Sequence, residues 1–106
     1  MTIKATLQNL KANGWTYYPV QIGGKLHVGR NGNWYHLTRN DSREDVAQWN
    51  RTTGVVYTLG ELAPHERSAI SQIIRVWRPG YEPDWDTWRT IRRSNIKTLL
   101  CVKQSA

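Results

Sequence analysis

The chain has 106 residues, of which 39% are hydrophobic and 22% charged, and its formal net charge is +7 at pH 7. This length and composition predict one globular domain spanning residues 1–106 and exclude a disordered or low-complexity protein. The single cysteine excludes an internal disulfide, and no apolar run approaches the roughly 20 residues of a membrane-spanning helix. Because the N-terminal residues also lack the apolar stretch of a signal peptide, we expect a cytoplasmic protein.

The charge is distributed unevenly along the chain. Residues 1–40 carry five basic and no acidic side chains, residues 41–66 two basic and five acidic ones, and residues 67–106 eight basic and three acidic ones. Two basic regions that flank an acidic middle favour contact with a polyanion or with an acidic protein surface. A solvated positive surface without a partner is the alternative.

The first two predicted elements are a helix and a three-stranded antiparallel meander. Apolar residues at helical spacing predict a helix at about residues 3–13, and Asn13-Gly14 is typical of a helix end. From about residue 16 to residue 39, apolar side chains alternate with a period near two, interrupted by Gly23-Gly24 and Asn31-Gly32. This alternation predicts three strands joined by two hairpins.

The apolar pattern also predicts the register of the strands, because a slip by one residue would turn every apolar side chain to the wrong face. A three-residue loop over residues 23–25 pairs Val20 with Val28. A two-residue type I′ turn at Asn31-Gly32 pairs Val28 with Tyr35. The predicted core face of the meander consists of Tyr18, Val20, Ile22, Leu26, Val28, Tyr35 and Leu37.

The opposite face of the meander collects polar and aromatic side chains. The predicted register puts His27 directly opposite His36 and puts Trp34 over Gly29. Pro19 cannot donate a ladder hydrogen bond, so the first strand is predicted to lie at a sheet edge.

Residues 42–50 are predicted to form a short helix. Ser42 is a suitable N-cap, Asp45 completes a capping box, and Val46 and Trp49 share one helix face. A three-stranded sheet followed by a short helix is similar in layout, over residues 17–50, to DNA-binding domains of the integrase arm-binding type. Those domains lay the sheet in the major groove, so the resemblance implies DNA contact through the sheet.

The second half of the chain predicts further helices and strands. Val55-Val56-Tyr57 is a short strand candidate, and the apolar stripe of residues 64–77 predicts the clearest helix. Residues 84–94 predict a helix with acids at its start and arginines at its end, although a strand over residues 87–93 fits the pattern nearly as well. The apolar stretch at about residues 96–103 predicts a final buried strand. The predicted fold class is therefore α+β, with helices covering one face of the sheet.

No catalytic, cofactor-binding or metal site is expected, and the protein is predicted not to be an enzyme. The sequence has neither a Gly-x-Ser-x-Gly elbow nor a phosphate-binding glycine loop. Cys101 lies in the most apolar stretch, where a thiol is usually inert packing. His27 and His36 offer two ligands, whereas protein zinc sites use three or four.

These features predict a small, basic, tryptophan-rich binding module. The candidate contact residues are Lys25, His27, Arg30, Trp34, His36, Arg39, Arg89, Arg92, Arg93 and Lys97. Nucleic acid is the first expected partner, because side chains of these types read base edges and hold phosphates. The alternative is an adaptor or inhibitor, comparable to small phage accessory proteins, that binds a protein of the nucleic-acid machinery through exposed Trp and Arg.

Overall fold

The computed structural model describes residues 3–12 and 20–105. Three helices and eight strands occur in this part of the chain. In chain order they are α1 (Ile3–Ala12), β1 (Val20–Ile22), β2 (Leu26–Asn31), β3 (Trp34–Arg39), β4 (Asp45–Asn50), β5 (Val56–Thr58), α2 (Pro64–Trp77), β6 (Tyr81–Pro83), α3 (Trp85–Ile91), β7 (Thr98–Leu99) and β8 (Val102–Gln104).

Six of the strands form one antiparallel sheet, and the helices pack on one of its faces. The strand order is β1-β2-β3-β4-β5-β7, and β6 and β8 form a separate two-stranded sheet. Trp77 of α2 packs edge-on against Tyr35 of β3, and Trp88 of α3 donates a hydrogen bond to the buried Thr58 of β5. Leu7 of α1 belongs to the same hydrophobic core. The α+β class and the helical layer on one face are therefore confirmed.

The first hairpin has the predicted register. Val20 pairs with Val28 and Ile22 with Leu26, across a three-residue loop. β1 lies at an edge of the six-stranded sheet, as expected. Pro19, from which the edge position was inferred, and the predicted start of the strand lie outside the described residues.

The second hairpin is shifted by two residues from the predicted register. Its turn is Gly32-Asn33, and Asn31 pairs with Trp34. Gly32 has a φ of +61°, and the first central position of a type II′ turn favours glycine for this reason. A shift of two residues keeps every side chain on its predicted face, so Leu26, Val28, Tyr35 and Leu37 are buried as expected.

The shifted register changes which residues are direct neighbours across the strands. His27 lies opposite Thr38, and His36 lies opposite Gly29. The predicted direct pairing of the two histidines, and the position of Trp34 over Gly29, are therefore wrong. Both histidines and Trp34 remain on the same face of the sheet.

The predicted helix over residues 42–50 is wrong, because this segment contains β4. Strand β4 pairs with β3 on one side and with β5 on the other, which buries Ala47 and Trp49. Arg43, with a φ of +62°, lies in the turn before the strand, and Asp45 accepts a hydrogen bond from Thr38 instead of capping a helix. The layout therefore differs from the integrase arm-binding type after its first three strands.

The three predicted helices outside that segment are confirmed, with α3 ending at Ile91 rather than at residue 94. The strand alternative for residues 87–93 is thereby excluded. No helix in the described part of the chain is long and apolar enough to cross a membrane.

The C-terminal strand predicted at residues 96–103 is confirmed in kind, but two short strands, β7 and β8, take the place of one buried strand. Its residues divide between two sheets, because β7 pairs with β5 whereas β8 pairs with β6. Leu100, between β7 and β8, is buried, and the following residue, Cys101, is exposed. The expectation that Cys101 is packed in the core is therefore wrong.

Candidate nucleic-acid interface

The face of the large sheet opposite the helices, termed here the open face, collects polar and aromatic side chains. Strand alternation and the observed register assign to it Gln21, His27, Gly29, Asn31, Trp34, His36, Thr38, Asp45, Gln48, Asn50, Tyr57 and Leu99. At Gly29 no side chain covers the backbone of the open face, because a Cβ added there would meet no atom within 4 Å. Beside this point, Trp34, His36, Gln48 and Asn50 line a shallow, open depression.

Two aromatic rings lie together on the open face. Trp34 of β3 and Tyr57 of β5 reach across β4, with ring centroids 6.2 Å apart and planes inclined by 36°. Tyr57 lies opposite Leu99 of the edge strand β7, whose side chain is 46% exposed. An aromatic and apolar strip therefore runs from β3 to the β7 edge of the sheet.

His36 is held by a network of polar side chains. Its Nδ1 lies 3.0 Å from Oδ2 of Asp45, and the same carboxylate accepts hydrogen bonds from Thr38 Oγ1 and Gln48 Nε2. Burial by itself would raise the pKa of Asp45, but the hydrogen bonds from Thr38 and Gln48 and the proximity of His36 outweigh it and lower the pKa. Asp45 is therefore a fixed carboxylate that orients the His36 ring.

His27 is oriented in a similar way at the other end of the meander. Its Nδ1 lies 2.7 Å from the side-chain oxygen of Asn40, whose amide nitrogen donates to Gln21 and to the carbonyl of Gly24. Both imidazoles are thus held through Nδ1 on the same face, diagonally across β2 and β3.

Two of the predicted contact residues lie on the helix-covered face instead. Arg39 donates to the carboxylates of Glu66 and Glu44. Arg30 lies over the ring of Tyr35, 5.6 Å from its centroid, and its Nε donates to the carbonyl of Gly32. Among the strand residues that the structure describes, no Lys or Arg side chain belongs to the open face, so the expectation of a basic sheet face is wrong.

The remaining predicted cations lie in the β1–β2 loop, at α3 and in the segment between α3 and β7. Lys25 is exposed in the loop before β2. Arg89 is paired with Asp86 on α3, and Arg92 lies over the Trp88 ring. Arg93 and Lys97 are exposed in the segment that leads from α3 directly into β7.

Exposed aliphatic side chains accompany these C-terminal cations. The large hydrophobic side chains that are most exposed in the described residues are Ile91, Ile96 and Leu99, each at about half of its full exposure. All three lie within nine residues of one another along the chain. This apolar and cationic segment, residues 91–99, adjoins the open face at Leu99.

Sequence reasoning missed several open-face residues because it assigned residues 42–50 to a helix. Gln48 and Asn50 come from β4, and Arg51 follows Asn50 in an exposed turn. Tyr57 was assigned to a strand but not to a face. Alternation within the predicted strand is the local signal that could have identified it, because turning Val56 to the core turns Tyr57 to the opposite face.

No group of three or more His, Cys, Asp or Glu side chains that could hold a metal ion occurs among the described residues. No protein-family model, curated protein or solved structure matches this chain.

Proposed function

We propose that this protein is a non-enzymatic, cytoplasmic module that binds nucleic acid through the open face and the cations at its margins. The observation that carries the proposal is the pair of Trp34 and Tyr57 on a face that the helices leave uncovered, next to a cationic segment. Aromatic side chains on an open sheet provide surfaces on which bases stack, and Lys and Arg near them hold the phosphates.

The polar side chains around the aromatic pair support the same proposal. Asn31 and Gln48 carry amides with both donors and acceptors, which suit the edges of bases. Asn50 offers its amide donors, because its side-chain oxygen accepts from the backbone amides of Thr52 and Thr53. The net charge of +7 attracts a polyanion from a distance, so an open face without Lys or Arg on its strands is compatible with a nucleic acid ligand.

The salt dependence of binding tests the proposal. Affinity for labelled oligonucleotides would be measured by fluorescence anisotropy over a range of salt concentrations, for the native chain and for the double variant Arg93→Gln, Lys97→Gln. Each lost phosphate contact lowers the slope of log affinity against log salt by about 0.7 to 0.9, so we expect a slope smaller by about 1.5. The variant Arg75→Gln changes an exposed cation on α2 and should leave the slope unchanged. Absence of binding at low salt would refute the proposal.

A second candidate function, binding to a protein of the nucleic-acid machinery, is favoured by one observation. Exposed Ile91, Ile96 and Leu99 have no role in holding phosphates, and aliphatic side chains flanked by arginines are suited to a protein interface. A pull-down with and without nuclease treatment separates the two functions. A stoichiometric partner that resists nuclease and is lost in Ile96→Asp would support the second function, and recovery of nucleic acid alone would support the first.

A further inference from the structure

We infer that the nucleic acid ligand is single-stranded, with bases stacked on Trp34 and Tyr57 and phosphates held at Arg51 and Lys97. This inference rests on the proposed function and specifies its substrate class.

The distribution of charge on the open face favours a single strand over a duplex. A duplex presents its phosphates on the outside, whereas the bases of a single strand can turn toward the protein. The described strand residues of the open face include the carboxylate of Asp45 and no Lys or Arg. A duplex laid on this face would therefore bring phosphates to an uncharged or acidic centre, while a single strand would bring bases there.

The aromatic pair has the geometry of a stacking surface. The two rings come from strands separated by β4, and they lie close together across it, with centroids 6.2 Å apart and planes inclined by 36°. Both side chains are half-buried, which anchors the rings while leaving part of each accessible. Stacking on such rings is tolerant of sequence, because every base has a π-face.

The cations near the pair lie at its two ends. Arg51 follows Asn50, the residue directly opposite Trp34, and its backbone amide donates to the carbonyl of Asn33 beside Trp34. Lys97 immediately precedes β7, whose Leu99 lies opposite Tyr57. Both cations are exposed. Phosphates on either side of two stacked nucleotides would meet them without crossing the acidic part of the face.

The bare backbone at Gly29 continues the surface beyond the aromatic pair. Gly29 lies opposite His36 and two residues from His27 on β2, and a Cβ there would meet no atom within 4 Å. A further nucleotide can lie on this floor with its base edges within reach of the oriented imidazoles.

Anisotropy measurements with defined oligonucleotides test the inference. The probes are a single-stranded deoxythymidine oligomer of about 15 nucleotides, the matching RNA oligomer, and a duplex of the same length. This length covers the number of nucleotides that single-strand-binding domains usually contact. We expect either single strand to bind at least about tenfold more tightly than the duplex. Paired bases in a duplex cannot stack on Trp34 and Tyr57, and the loss of one base–aromatic stack weakens binding by about this factor. Trp34→Ala and Tyr57→Ala should each weaken single-strand binding by about tenfold, and Trp34→Phe should retain most of it.

The controls separate stacking from folding. Tyr81→Ala removes an aromatic ring from β6, outside the large sheet, and should leave binding unchanged. Arg51→Gln should weaken single-strand binding while Arg75→Gln does not, and circular dichroism establishes that each variant is folded. If the duplex binds as tightly as the single strands, the inference is overturned while the proposed function stands. If folded Trp34→Ala and Tyr57→Ala both bind normally, the inference is overturned and the proposed binding through the open face fails with it. If no probe binds at low salt, both fail.

Discussion

Arg39, at the end of β3, holds the carboxylate of Glu66 in the first turn of α2 with two hydrogen bonds, Nε to Oε2 at 2.6 Å and Nη2 to Oε1 at 2.9 Å. The Glu66 side chain is 2% exposed, and its Oε1 also accepts the backbone amide of Ala63. Burial alone would raise the pKa of Glu66, but the hydrogen bonds from Arg39 and Ala63 lower it. The pair fastens the sheet to the start of the helix, so Arg39 has a structural role.

Removing Arg39 should therefore destabilise the fold. Loss of one partner of a buried ion pair leaves an uncompensated charge and costs about 3 to 5 kcal/mol, whereas replacing both partners by apolar side chains is often close to neutral. We expect Arg39→Met to lower the free energy of unfolding by about 3 kcal/mol and the double variant Arg39→Met, Glu66→Met to recover most of it. Urea unfolding measures both, and Lys25→Met, in an exposed loop, is the matched control. A single variant as stable as the native chain would contradict the structural role.

Acid should destabilise the protein through Asp45 and Glu66. Their pKa values are lowered in the folded state from ordinary values of 3.8 and 4.5, so the folded state binds fewer protons than the unfolded state at acidic pH. The stabilisation from these carboxylates is complete above about pH 5 and is lost as the pH falls toward 3.

Urea midpoints measured from pH 7 to pH 3 test this dependence. We expect them to be nearly constant down to about pH 5 and then to fall, with a shallower fall in Asp45→Asn. Asp41→Asn, at an exposed position before β4, should keep the native profile. An Asp45→Asn profile that parallels the native one would show that Asp45 contributes nothing to the acid sensitivity.

A side chain at Gly29 should separate stability from binding. Glycine in the interior of a strand lowers the stability of that strand, and position 29 has room for a β-branched side chain. Gly29→Val should raise the free energy of unfolding by up to about 1 kcal/mol. It should also weaken oligonucleotide binding, because the valine methyl groups would project from the open face beside His27 and His36 and occupy the space proposed for the ligand. Thermal unfolding and anisotropy on the same sample test both effects, and unchanged affinity would place the ligand away from Gly29.

Gly60 should tolerate no side chain. A Cβ there would lie 1.9 Å from the backbone carbonyl oxygen of Arg93, which packs directly over the glycine. Because backbone must move to relieve this overlap, Gly60→Ala should destabilise the protein by about 2 kcal/mol or more. Gly24→Ala, where a Cβ meets no atom within 4 Å, is the matched control. Equal stability of the two variants would argue against the close contact of residue 93 with the β5–α2 connection.

The segments that sequence reasoning described well are those whose signals are local. The first hairpin follows from alternation around Gly23-Gly24, and α2 follows from a proline at its start and an apolar stripe at helical spacing. Residues 45–50 were misassigned because Val46 and Trp49 fit a helix face as well as a strand. Pairing with β3 and β5 decides between the two, and neither neighbour can be recognised from the segment itself.

The sequence by itself determined the class of fold, the two faces of the meander and the grouping of His27, Trp34 and His36 on one of them, because side-chain alternation is a property of each strand alone. Only the tertiary structure decided which cations are available. Arg39 and Glu66 are 27 residues apart in the chain and meet across the sheet–helix interface, which removes that arginine from the candidate surface. Likewise, Tyr57 lies near Trp34 only because β4 is between their strands. The face that was expected to be basic therefore has an aromatic pair and no Lys or Arg on its described strands.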